Sequence, residues 1–158
     1  MSLGIMKLHR FNGDEIFDVE SAMITYEKCE NNVYATTFRA DAAKVPIQTL
    51  PDTVSLRAKP FAEVTLRLEK PPSLMLFAGQ SFTLPEGYDK STGDYRTNFY
   101  YCEHETLEEN EIVILGRNGT KVRARITGMV IDVNYYDDSK PRMKVVVEAE
   151  FTINLSFT

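Results

Sequence analysis

The strongest pattern in the chain lies across residues 143–157. Every odd position there is apolar (Met143, Val145, Val147, Ala149, Phe151, Ile153, Leu155, Phe157), and the even positions are polar apart from Val146. Side chains alternate across a β-strand with a period of two, so this spacing predicts one long strand with a buried face and a wet face. At about 3.3 Å per residue it would reach about 50 Å, against a usual strand of about 5 to 6 residues. Such a strand has to bend around a barrel, cross two layers, or pair at its end with another chain. A second stretch in one phase covers residues 54–68, apolar at each even position from Val54 to Leu68. Pro60 cannot donate to a ladder, so this stretch is expected to be an edge strand or two strands joined at a bulge.

Shorter segments repeat the pattern. Residues 7–11 and 14–18 flank Asn12-Gly13, the pair that supplies positive φ angles to a two-residue type I′ hairpin turn. That register sets Arg10 against Glu15, Leu8 against Phe17 and His9 against Ile16. The strand continues through Ala22, Ile24 and Tyr26 and turns over residues 28–32 into residues 33–39. Residues 41–50 have room for a short helical turn before Pro51. Lys70-Pro71-Pro72 stops the chain, and Ala78-Gly79-Gln80 suits a turn before residues 81–84. Residues 85–94 have loop chemistry throughout, and loops of this size often carry binding residues. Periodicity resumes with Tyr95, Thr97, Phe99 and Tyr101 on one face. Residues 104–111 form an acidic turn or short helix. A second Asn-Gly signal, Asn118-Gly119, lies between residues 112–115 and the strand from Lys121. In that strand the apolar positions change from even to odd around Gly128, which predicts a bulge or sharp bend there. Residues 136–142 lead back into the last strand.

About eight to ten strands, little helix, no repeat and no linker predict an all-β fold, a single-domain antiparallel β-barrel or β-sandwich over residues 1–158. Hydrophobic and charged contents of 43% and 26% point to an ordinary globular chain rather than a disordered or membrane class. Its 23 acidic and 18 basic side chains leave a net charge of -5, which disfavours non-specific attraction to phosphate backbones and makes nucleic acid an unlikely partner. Cys29 and Cys102 are too few for a disulfide scaffold. No apolar run reaches the length of a membrane span, and the opening lacks the cationic start of a signal peptide, so the cytoplasm is the default expectation. With Met6 so close behind, Met1 to Leu3 reads as a cloning remnant.

Candidate chemistry concentrates on the even face of the strand at residues 96–104: Arg96, Asn98, Tyr100, Cys102 and His104. Residues at i and i+2 project to one side, so this row could line a barrel interior as a small-molecule site, or pair the Cys102 thiolate with the His104 imidazole. The plainer reading is the solvent side of an amphipathic strand. No third orienting residue or oxyanion element accompanies a Cys-His pair. Glu103 and Glu105 should point away from Cys102 and His104, so one strand cannot supply four metal ligands, and neither a metal nor another cofactor is expected. The loop at residues 89–94 fails the EF-hand pattern, with Asp94 where glycine and Tyr100 where glutamate is required. Lys121, Arg123 and Arg125 form a basic row, with Arg117 in the adjoining turn, that could track a single nucleic-acid strand. Pairing with Glu148 and Glu150 on the neighbouring strand is the simpler expectation. Phosphate-cradling glycine loops, zinc-protease motifs and nucleophile elbows are absent from the sequence.

These features favour a non-catalytic binding or assembly module on a rigid β scaffold, with a protein partner or self-association ahead of a small molecule and no membrane association. Few acid, base and nucleophile types converge, so the reading leans away from an enzyme. The alternative is a small-molecule-binding barrel, possibly an enzyme, with the row from Arg96 to His104 inside it.

Overall fold

The structure is a computed structural model that describes residues 2–51, 59–132, 135 and 139–154. Twelve strands are present among them: β1 (Gly4–Arg10), β2 (Gly13–Lys28), β3 (Tyr34–Ala42), β4 (Phe61–Leu68), β5 (Ser81–Leu84), β6 (Tyr88–Asp89), β7 (Asp94–Tyr95), β8 (Thr97–Tyr101), β9 (Glu103–Glu105), β10 (Glu108–Asn118), β11 (Lys121–Val130) and β12 (Met143–Ile153). The only helical elements described are two short 3-10 turns, Glu30–Asn32 and Pro72–Leu74. No helix is long and apolar enough to cross a membrane among the described residues.

Ten strands form one sheet in the order β5-β10-β11-β12-β1-β2-β3-β4-β8-β9, and β6 and β7 form a separate small ribbon. All pairings are antiparallel except a short parallel contact of β12 with β2 at Thr152 and Ile153. Among the described residues no ladder closes the sheet, and β5 and β9 are its two edges. It is nonetheless strongly curved. The Tyr101 hydroxyl on β8 donates to Glu15 on β2 at 2.9 Å, although three strand spacings would hold flat partners about 14 Å apart. The buried face therefore turns inward on itself, and Phe38 meets Phe151 edge-on across it at 5.6 Å.

The period-two pattern decides which side chains fill this interior. β12 buries Met143, Val145, Val147, Ala149, Phe151 and Ile153, the odd set expected. It runs through the middle of the sheet, between β11 and β1, and its last residues pass the start of β1 to reach β2. Leu3, one of the three residues expected to be a cloning remnant, extends the ladder: it donates to Val19 O and accepts from Glu150 N. Positions 155 and 157 lie outside the described residues, as does 52–58, the first part of the second long stretch.

Four expectations change. Residues 104–111 form no acidic turn or short helix; they close β9 and open β10. In the first hairpin Arg10 stands against Gly13, Leu8 against Glu15 and His9 against Asp14. Phe11 and Asn12 make the turn and the positive φ falls on Gly13, so the register moves by two residues. An even shift keeps every side chain on its predicted face. Gly128 carries no bulge: the β11–β12 register is unbroken from Lys121 to Val130, and even positions stay buried through Asp132. The irregularities lie in β10, between Glu108 and Glu111 and between Ile114 and Gly116. Gly128 instead makes room, since a Cβ there would stand 2.6 Å from Asn110 Oδ1. Residues 41–50 form no helix; they run beside β2, where Ile47 donates to Ile16 O at 2.7 Å.

At one end of the interior the apolar stripes of four segments finish in polar residues. After Met6 and Leu8 comes Arg10; before Phe17 stands Glu15; after Phe99 comes Tyr101; after Val130 comes Asp132. Arg10 Nε lies 3.1 Å from Asp132 and its Nη1 3.6 Å from Glu15, with all three side chains at most 1% exposed. The predicted Arg10–Glu15 pair thus exists, diagonal rather than directly opposed, and it closes the core with a charge network.

Candidate functional site

The row from Arg96 to His104 is not one strand. β8 ends at Tyr101, Cys102 takes a positive φ of 67° at the tip, and β9 folds back so that Tyr100 opposes His104 and Phe99 opposes Glu105. The tight hairpin divides the five candidate residues. Asn98, Tyr100 and His104 remain together on the outer face, with His104 Nδ1 3.0 Å from Asn98 Oδ1. Cys102 is exposed at the tip and shares no hydrogen bond with His104. Arg96 turns to the other side, where its guanidinium contacts Asp89 at 2.5 Å beside a hollow of about 390 Å³ lined by Pro85, Glu86 and Tyr88.

Antiparallel register extends the outer-face group across four strands. One row reads Arg39, Glu63, Asn98; the next reads Asp41, Phe61, Tyr100, His104. Phe61 and Tyr100 stack at 5.6 Å with planes 13° apart, and the His104 ring sits 5.0 Å from that of Tyr100. The Arg39 guanidinium lies 3.9 Å above the Phe61 ring. Hydrogen bonds to Asp41 raise its pKa above the ordinary value, with Glu63 adding to the effect, so this cation is fixed in place. The result is a rigid shelf of stacked rings capped by a cation.

Beside the shelf, where the two ends of the sheet approach without pairing, a groove of about 510 Å³ is lined by Glu63, Tyr95, Asn98, His104 and Glu105. Beside it runs a seam of bonds between side chains and backbone. Thr97 Oγ1 donates to Leu107 O and accepts from Leu107 N, and Gly87 N donates to Glu108. The loop at residues 85–94 borders this seam as the β6–β7 ribbon. Asp89 accepts from the Ser91 hydroxyl and amide, which with Arg96 lowers its pKa, and Tyr95 stands 71% exposed.

Glu105 supplies the groove's second carboxylate. It is half-buried at the edge of the sheet, and burial, together with the Glu103 carboxylate, raises it above the ordinary carboxylate range. No ion pair reaches it among the described residues. Sequence reasoning named Asn98, Tyr100 and His104 but missed Arg39, Phe61 and Glu63, which only the β3–β4–β8 register brings alongside. The basic row pairs only in part as expected: Arg123 and Arg125 share Glu148 at 3.1 and 3.7 Å, while Lys121 donates to the Thr152 hydroxyl. No protein-family model matches the chain, and comparison with known proteins and with solved structures gives no match.

Proposed function

We propose that the protein is a non-catalytic binding module whose seam groove receives a basic side chain presented by a protein partner. The observation that carries this reading is Glu105, a half-buried carboxylate held above its ordinary pKa, with no ion pair among the described residues to offset it. A lysine or arginine entering the groove would meet Glu105 and Glu63, and the stem of such a side chain would cover the Tyr100 and His104 rings. The shelf is open on the outer face, which favours a partner's surface over a small molecule enclosed in an interior.

The test is an amide-resonance titration with blocked tetrapeptides that differ at one position: lysine, arginine, norleucine or glutamate. Lysine and arginine peptides should shift Asn98, His104 and Glu105, and norleucine and glutamate peptides should not. Glu105→Gln should weaken the effect at least about fivefold, the loss of one charge-assisted contact, and Tyr100→Ala should weaken it by removing a ring that the stem covers. Equal shifts with the glutamate peptide, or none with any peptide, would reject the reading.

A further inference from the structure

The two edges of the sheet differ in their chemistry. Edge strands offer unpaired backbone groups to any passing strand, and charge is a common means of blunting them. β9 is blunted against its own kind: pairing two copies around His104 would set Glu103 against Glu105 twice over, and like charges directly opposed are destabilising. β5 has no such protection. Its sequence, Ser81-Phe82-Thr83-Leu84, is uncharged and free of proline.

The geometry points to this edge as a self-association site: we infer that two copies of the chain join β5 to β5 across a two-fold axis at Thr83. Ile114 N donates to Gln80 O, so Gln80, Phe82 and Leu84 direct their backbone groups toward β10 and Thr83 directs its own outward. Thr83 can then exchange both of its backbone hydrogen bonds with the Thr83 of a second copy. In that register Phe82 faces Leu84 of the other chain on the core side, where both are half-buried against the core. Threonine faces threonine on the outside, a favourable cross-strand pair.

Two further features agree. Glu111, beside Thr83 on β10, would face its copy across three strand spacings; that is about 14 Å, beyond the screening length of about 8 Å. The loop just before β5 exposes Leu74 and Phe77, and Arg117 ties it to β10 by bonds to Pro72 O and Leu76 O. These apolar side chains lie a few residues before the edge strand in the chain, and a second copy joined there could extend over them. A foreign strand would find no charge on β5 to read, whereas a second copy supplies both the matching apolar pair and the matching threonine.

Sedimentation of the full chain across a concentration series reads the outcome. The mass should rise from 18.0 kDa toward twice that value, and Thr83→Lys, which sets like charges across the axis at an exposed position, should weaken association at least about tenfold. Thr83→Cys in a Cys29→Ser, Cys102→Ser background should form a disulfide-linked dimer on mild oxidation. A monomer at every concentration, a dimer indifferent to Thr83→Lys, or a failure of Thr83→Cys to cross-link would each overturn the inference. It is independent of the groove, since Thr83→Lys leaves every residue of the shelf in place.

Discussion

Replacing Arg10 with methionine separates the charge of the buried network from its volume. The stem of methionine fills much of the arginine's space, but the Glu15 and Asp132 carboxylates lose the guanidinium that stands 3.6 and 3.1 Å from them. Removing one member of a buried ionic set costs about 3–5 kcal/mol, because the charges left behind are desolvated without compensation. That is a large part of the about 5–15 kcal/mol that holds a typical domain together. With a urea m-value of about 2 kcal/mol/M, the unfolding midpoint should fall by about 1.5–2.5 M. The chain has eight tyrosines and no tryptophan, so tyrosine emission and far-ultraviolet circular dichroism are the probes. The variant Arg10→Met, Glu15→Leu, Asp132→Leu, Tyr101→Phe removes all three charges together with the hydroxyl that donates to Glu15, and it should recover most of the loss, since apolar replacement of a whole buried set is often neutral. A loss below about 1 kcal/mol in Arg10→Met, the value of an exposed pair, would refute the argument. So would a quadruple variant less stable than the single one.

Tyr101→Phe should cost about 1.5–3 kcal/mol at neutral pH, the worth of a hydrogen bond to a charged group. Burial, then the Glu15 carboxylate, hold the Tyr101 phenol above its ordinary pKa of 10.0. Above pH 10 the unfolded chain therefore loses this proton while the native state keeps it. The parent should lose stability there by about 1.4 kcal/mol per pH unit more than Tyr101→Phe does, and equal slopes in urea titrations from pH 9 to 11 would reject the assignment. Gly128→Ala places a Cβ 2.6 Å from Asn110 Oδ1 and 3.3 Å from Leu107. Overpacking of this kind costs about 1–3 kcal/mol, a drop of about 2–12 °C in Tm by calorimetry. An unchanged Tm would show that β10 yields at its bulge.

The fold class was legible because period-two alternation is a local property, and β12 and β11 state it over ten residues or more. Register was less legible. The two Asn-Gly pairs pointed to the hairpins, yet in both the turn is displaced by one residue, onto Phe11-Asn12 and Gly119-Thr120. In the second, the positive φ at Gly119 alone has the sign pattern of a type II′ rather than a type I′ turn. The apparent phase change at Gly128 misled because Met129 and Ile131 are apolar yet only half-buried, while Asp132 is buried by its tie to Arg10. The candidate row was half visible. Alternation placed Asn98 and Tyr100 on one face, but nothing local signals that Cys102 takes a positive φ and returns the chain. The partners Arg39 and Phe61, on β3 and β4, join the row only through long-range pairing.

β1 lies between β2 and β12, so the strand nearest the start of the described chain is sandwiched by one from near its other end. Gly4 pairs with Ala149, and Leu8 with Val145. During synthesis the β1–β2 hairpin emerges first, and a lone two-stranded hairpin is marginal in water. β3 soon joins its β2 side, but its β1 edge can gain a neighbour only after β12 has been made. Contacts this distant in sequence slow the search for the native state, and the waiting chain displays the inner edges of both β1 and β11. The interval between making β11 and making β12 is therefore when this protein is most exposed to misassociation, and the strand that completes the sheet is the one that ends it.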